Sequence, residues 1–163
     1  MKTKKYFLFV LGIFIISCNT STKKGKGDEF YTDKGSFDMG RFPLIKPFEL
    51  SVTDGDNWLL SANKDSTVLF TIDGVKGIRV FNQFVLAHAV NTTIDYARAK
   101  EGWFVIIPKS HFSKGVATHQ EYLTVLHELG LSKEPELYRP YDVFDYFDKH
   151  DSVNWDNVKQ YQK

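Results

Sequence analysis

Histidine, with five copies in 163 residues, is the first side chain whose placement bears on chemistry. His111, His119 and His127 recur at intervals of eight. On one helix eight residues turn through about 800°, which leaves His119 and His127 about 80° apart and two turns distant, too far for a metal-binding pair. The run His127-Glu128-Leu129-Gly130-Leu131 lacks the second histidine of a zinc-protease helix. These positions read as exposed histidines, and no metal ligand is expected among them. His88 lies in the apolar run Phe84–Val90 and reads as a sheet residue hydrogen-bonded to its neighbours, with no partner identifiable for general-base work.

Carboxylates come next. Asp142, Asp145, Asp148 and Asp151 repeat every third residue, a drifting acidic stripe expected to face solvent on a helix. A calcium loop needs alternating oxygen ligands about a glycine turn and a closing glutamate, and that pattern is missing. Asp54 and Asp56 in Asp54-Gly55-Asp56-Asn57 read as a hairpin turn. Gly25 and Gly27 have no strand before them and do not form a phosphate loop. No catalytic constellation and no cofactor motif is legible. Among the aromatics, Trp58 and Trp103 are expected in the core, whereas Trp155, with Tyr138 and Tyr141, is the candidate contact surface for a partner or glycan.

The elements that would position these groups follow from periodicity and turn chemistry. Phe48, Leu50 and Val52 alternate with polar residues, and further apolar runs recur about every ten residues: Trp58–Ala62, Thr67–Ile72, Ile78–Val90 and Trp103–Ile107. Turns are expected at 53–57, 63–66 and Asp73-Gly74, and a hairpin around Lys100, Glu101 and Gly102, with a short helical turn at Ile94–Ala99 as the alternative. Pro47 argues that the first strand is an edge or a bulged one. Thr118 followed by Glu121 matches a capping box, with Tyr122, Val125, Leu126 and Leu129 on one face and a Schellman ending at Gly130 and Leu131. A second helix is expected after Pro140, capped by Asp142 and burying Val143, Phe147 and Phe144. The expected fold is α+β: an antiparallel meander of five to six strands with one or two C-terminal helices packed on one face.

The amino terminus carries a different message. Lys2, Lys4 and Lys5 precede the ten-residue apolar run Phe7–Ile16, too short for the roughly 20 residues of a membrane span and suited to a signal peptide. Ile15, Ile16, Ser17 and the single cysteine, Cys18, resemble the lipobox of bacterial lipoproteins, with isoleucine where leucine is preferred. That resemblance implies cleavage after Ser17, a diacylglyceryl thioether on Cys18 and a further amino-terminal acyl chain. One chain binds marginally and two or three hold firmly. Residues 1–17 are then the signal peptide, 18–40 a tether and 41–163 one globular domain. The strand Trp103–Ser110, the turn Lys114-Gly115 and the capped helix are similar, in pattern only, to the ending of small uncharacterised bacterial lipoproteins, and they bring no catalytic residues with them.

Removal of residues 1–17 takes three lysines from the 21 Lys and Arg and leaves all 20 acids, a net charge near −2. A nucleic-acid partner is not expected at that balance. Lys23, Lys24 and Lys26 stand beside the anchor, facing either lipid headgroups or water. The expectation is a cell-envelope protein, attached to a bacterial membrane through lipid, whose domain binds another macromolecule as an accessory, inhibitor or immunity-type protein. The alternatives are an envelope hydrolase using Glu49, Asp54 or Asp56 on cell-wall material, and a glycan binder without turnover.

Overall fold

Alternation along the central strands divides the molecule into an inner and an outer face. The computed structural model describes residues 28–36, 38–53, 55–64 and 67–158. Seven antiparallel strands follow one another in chain order: β1 (Gly40–Pro43), β2 (Phe48–Val52), β3 (Trp58–Lys64), β4 (Thr67–Phe81), β5 (Phe84–Ile94), β6 (Ala97–Ile107) and β7 (Phe112–Val116). Two helices complete the fold, α1 (His119–Glu128) and α2 (Pro140–His150). This is the expected α+β meander, with seven strands in place of five to six. None of the helices among the described residues is long and apolar enough to cross a membrane.

On the inner face Val85, Ala87, Phe104 and Ile106 join Phe42, Leu50, Leu60 and Ile72 in one cluster, which α2 closes with Val143, Tyr146 and Phe147. On the outer face Phe84, Leu86 and Val105 pack against Tyr122, Val125 and Leu126 of α1. The helices thus cover opposite faces, where the sequence led us to expect one covered face.

The two strands missing from the sequence reading are the short edge strands, β1 and β7. Pro47 lies in the turn before β2, after a cis Lys46–Pro47 bond, and β2 is an interior strand between β1 and β3. Asp73-Gly74 is no turn: β4 runs through it, and a register shift against β3, where Ile72 and Val75 pair with Leu60 and Trp58, absorbs the irregularity. The hairpin linking β5 to β6 turns at Asp95 and Tyr96, both at positive φ (46° and 68°), so Lys100–Gly102 lie within a continuous strand. Two successive left-handed residues match the twist of a tight hairpin.

Helix α1 forms as its local signals require. Thr118 Oγ1 accepts from the Glu121 amide at 3.3 Å, and Glu121 Oε2 accepts from the Thr118 amide at 3.1 Å. At the other end Gly130, at φ 82°, donates to the His127 carbonyl, and Leu131 donates to that of Leu126, both at 2.9 Å. Helix α2 differs from expectation at its start. Arg139 is the cap and Pro140 the first residue, while Asp142 accepts a forked pair of bonds from Arg139 at 2.7 and 2.8 Å. Asp142 is therefore buried against the helix start, and Asp148 and Asp151 pair with Lys34, so the acidic stripe is not simply solvated.

Residues 28–36 and 38–40 also belong to the folded body. Lys34 Nζ donates to the Asp148 carbonyl at 2.7 Å, and Arg41, 5% exposed, donates to the carbonyls of Phe30 and Asp33 and to Glu49. Arg41 Nη2 lies 2.6 Å from Glu49 Oε2, and both side chains are largely buried. Breaking such a pair leaves a charge without its partner in a poorly solvated place. Arg41→Ala is expected to destabilise the domain by about 3 kcal/mol in urea denaturation, and the double variant Arg41→Met/Glu49→Leu to recover most of that loss. An Arg41→Ala midpoint unchanged from wild type would show that the pair does not hold the 28–40 segment to the sheet.

Candidate functional site

One row of paired residues crosses four strands on the outer face: Gly77 of β4 opposite His88 of β5, His88 opposite Trp103 of β6, and Trp103 opposite Val116 of β7. Because each member points to the same side, the His88 imidazole and the Trp103 indole lie against one another, their ring centres 4.7 Å apart and their planes 31° from parallel. The first residue of α1, His119, continues the row, with its ring 5.7 Å from that of Trp103 and 6.1 Å from that of Tyr122. Four rings from two strands and one helix thus form a continuous series.

The loop between the helices closes the site from the side. Ile78 and Tyr138 exchange backbone hydrogen bonds of 2.9 and 3.0 Å, and the loop before Tyr138 crosses over Gly77. A side chain at Gly77 would press on Leu137, 3.1 Å from the position its Cβ would take, so the close approach depends on glycine there. From this loop Glu134 Oε1 reaches His119 Nε2 at 2.9 Å. Between loop and sheet lies an open cavity of about 380 Å³ with His88 and Trp103 as its apolar floor and Lys76, Glu134 and Glu136 on its rim.

Two polar atoms here lack a partner. His88 Nε2 is buried without a hydrogen bond, since Glu101 Oε2 stands 3.8 Å away, beyond hydrogen-bond range. Burial holds the His88 imidazole below its ordinary value, Glu101 opposes the shift, and His119 reinforces it. The Tyr122 hydroxyl is also buried and unpaired, and burial, with the charge of Glu134 adding to it, pushes it upward. The cavity therefore presents a half-buried indole face beside an imidazole whose Nε2 is covered. That combination suits recognition of a flat or ring-bearing group with a polar edge.

The residues singled out from sequence fall elsewhere. Tyr138 is buried, its ring stacked with that of Trp155 at 6.5 Å, and Trp155 is itself half-buried against the inner core. Their expected exposure is therefore corrected; the chain bends at Asp151 and Ser152 after α2, and Trp155 stacks on Tyr138. Tyr141 remains exposed, with its hydroxyl donating to the Gly55 carbonyl at 2.9 Å and its ring 5.3 Å from buried Trp58. Trp103, expected in the core, is half-buried and lines the cavity. Glu49 is held by Arg41, Asp56 is exposed in a turn, and Asp54 lies outside the described residues. Cys18 and the lysines at 23, 24 and 26 also lie outside them. His111 and His127 are exposed and stand apart from the ring series, and among the described residues no three His, Cys, Asp or Glu gather to hold a metal ion. Comparison with known proteins gave no matching family model, curated protein or solved structure.

The lowered His88 value carries a sign that solution measurements can read. Folding favours the neutral ring, so its contribution to stability is complete above the ordinary value of 6.5 and is lost as pH falls through the lower folded-state value. In NMR titration the His88 ring is expected to protonate below pH 6.5, and His88→Gln should flatten the decline of stability on acidification. A midpoint at or above the ordinary histidine value would contradict the burial argument.

Proposed function

We propose that this chain is a lipid-anchored cell-envelope protein whose domain is a binding module, holding its partner macromolecule at the cavity floored by His88 and Trp103. The single observation behind this reading is the half-buried Trp103 indole laid against the His88 imidazole at the floor of an open cavity, an amphipathic aromatic face of the kind enriched at interfaces. The contact between His119 Nε2 and Glu134 Oε1, 2.9 Å, ties the loop side of the cavity to the start of α1. The anchor is the acylated Cys18 implied by Ile15–Cys18, which tethers the domain to a bacterial membrane and confines its partners to the envelope.

Glycan is the second reading, favoured by one feature: the indole lies beside Lys76, Glu134 and Glu136, an apolar face ringed by groups that bond hydroxyls. Of the acids named for the hydrolase reading, Glu49 is engaged by Arg41 and stands apart from the cavity lining.

The full-length acylated protein, purified from native membranes, is expected to retain a specific macromolecular partner. Trp103→Ala and His88→Gln should each weaken that association at least tenfold, about 1.4 kcal/mol, while Trp155→Ala leaves it intact. Equal retention by Trp103→Ala and wild type would remove the cavity from the proposal. An unmodified thiol at Cys18 in the intact mass would remove the anchor.

A further inference from the structure

The inner face opens into a second, unrelated cavity. Phe48 of β2, Ala62 of β3 and Phe70 of β4 are register neighbours, and the Phe48 and Phe70 rings meet edge to face at 5.9 Å. Opposite them stand Ile106 of β6 and Phe112 of β7, strands from the far side of the sheet order. The meander therefore curls until its two halves flank an apolar groove of about 400 Å³, with His111 and Ser113 as polar groups in its lining.

The place where the described residues begin points to an occupant. Asp28, where the described structure begins, pairs with Lys46 Nζ at 2.8 Å, and the Lys46 amide donates to the Tyr31 hydroxyl at 3.3 Å. Lys46 directly precedes Pro47, and Pro47 lines the groove. The amino-terminal segment thus leaves the domain within about one lysine side chain and one residue of the groove's lining. Cys18 is ten residues before Asp28, a separation that spans up to about 35 Å when extended and about 16–19 Å as a flexible coil. A group tethered at that distance meets the groove at a high effective concentration.

We infer that the groove takes one acyl chain of the lipid on Cys18 of the same molecule, an inference that rests on the acylation proposed above. Phe48, Phe70, Ile106 and Phe112 supply a narrow apolar lining suited to an unbranched hydrocarbon, and His111 and Ser113 supply polar groups for its carbonyl end. Two further chains keep the protein on the membrane while the third is sheltered.

The test uses the full-length protein from cells fed a diazirine-bearing fatty acid, irradiated in native membranes and analysed by peptide mass spectrometry. The expected product is a cross-link from the Cys18 lipid to peptides containing Phe70, Ile106 or Phe112. Ala62→Phe, which fills the groove, should reduce it at least tenfold, as should Ser113→Trp, placed at an exposed position to spare the core. Acyl mass present on Cys18 with cross-links only to phospholipid or to peptides outside the groove would overturn the groove assignment and leave the anchor standing. Groove peptides linked only to free phospholipid would overturn the source of the chain. An unacylated Cys18 would overturn both readings together.

Discussion

Two backbone hydrogen bonds between Ile78 and Tyr138 set the geometry on which the outer face depends. β3 pairs with β4 only as far as Val75, so the later part of β4 has a free edge. A free edge exposes amide and carbonyl groups that need partners. Tyr138 supplies two of them, and in doing so fixes the loop from Glu134 to Leu137 over Gly77. Arg79 ties the same loop a second time, donating to the Glu136 carbonyl at 3.1 Å and to the Tyr138 hydroxyl at 3.2 Å. Its guanidinium also lies 5.1 Å from the centre of the Tyr138 ring. The position of Glu134 beside His119 is thus a consequence of sheet completion, and the cavity over His88 is the space between the strand row and the strap that completes it.

Electrostatics within that space follow from burial. Glu101 is near enough to favour a protonated His88, yet burial outweighs it, and the imidazole is held toward its neutral form with an unsatisfied nitrogen. Tyr122, at the other end of the same ring series, also keeps a buried hydroxyl without a hydrogen bond. An unpaired buried polar group costs on the order of 1–3 kcal/mol, and a fold retains such groups mostly where another interaction offsets them. Close packing of the four rings is the offset visible here.

How much of this was legible in advance depended on how local each interaction is. Helix α1 was readable from Thr118 to Leu131 because its capping box and its Schellman ending are made within its own residues. Hairpins were less readable. Asp73-Gly74 looks like a turn, but its irregularity is taken up by a shift in pairing, whereas Asp95-Tyr96 turns the chain without the glycine that usually marks such a site. Edge strand β1 has only four residues, one of them proline, and β7, with Ser113, Lys114 and Gly115 at its centre, lacks an apolar alternation. The ring series was not legible because His88 and Trp103 are neighbours only through strand register, and a one-residue slip would send one of them to the opposite face. Trp155 and Tyr138 misled for a related reason: they lie outside regular elements, yet pair with each other across the chain.

Register also explains how one sheet serves two different surfaces. In β6 Trp103 and Val105 belong to the outer face, while Phe104 and Ile106 belong to the inner. The cavity over His88 and the groove beside Ile106 are consequently built from alternate residues of one strand, separated by the thickness of a single sheet. Closely packed interiors have low compressibility and transmit strain. Over Trp103–Ile106 β6 is paired on both sides, by β5 and β7, so a shift of this strand would displace the lining of both surfaces together.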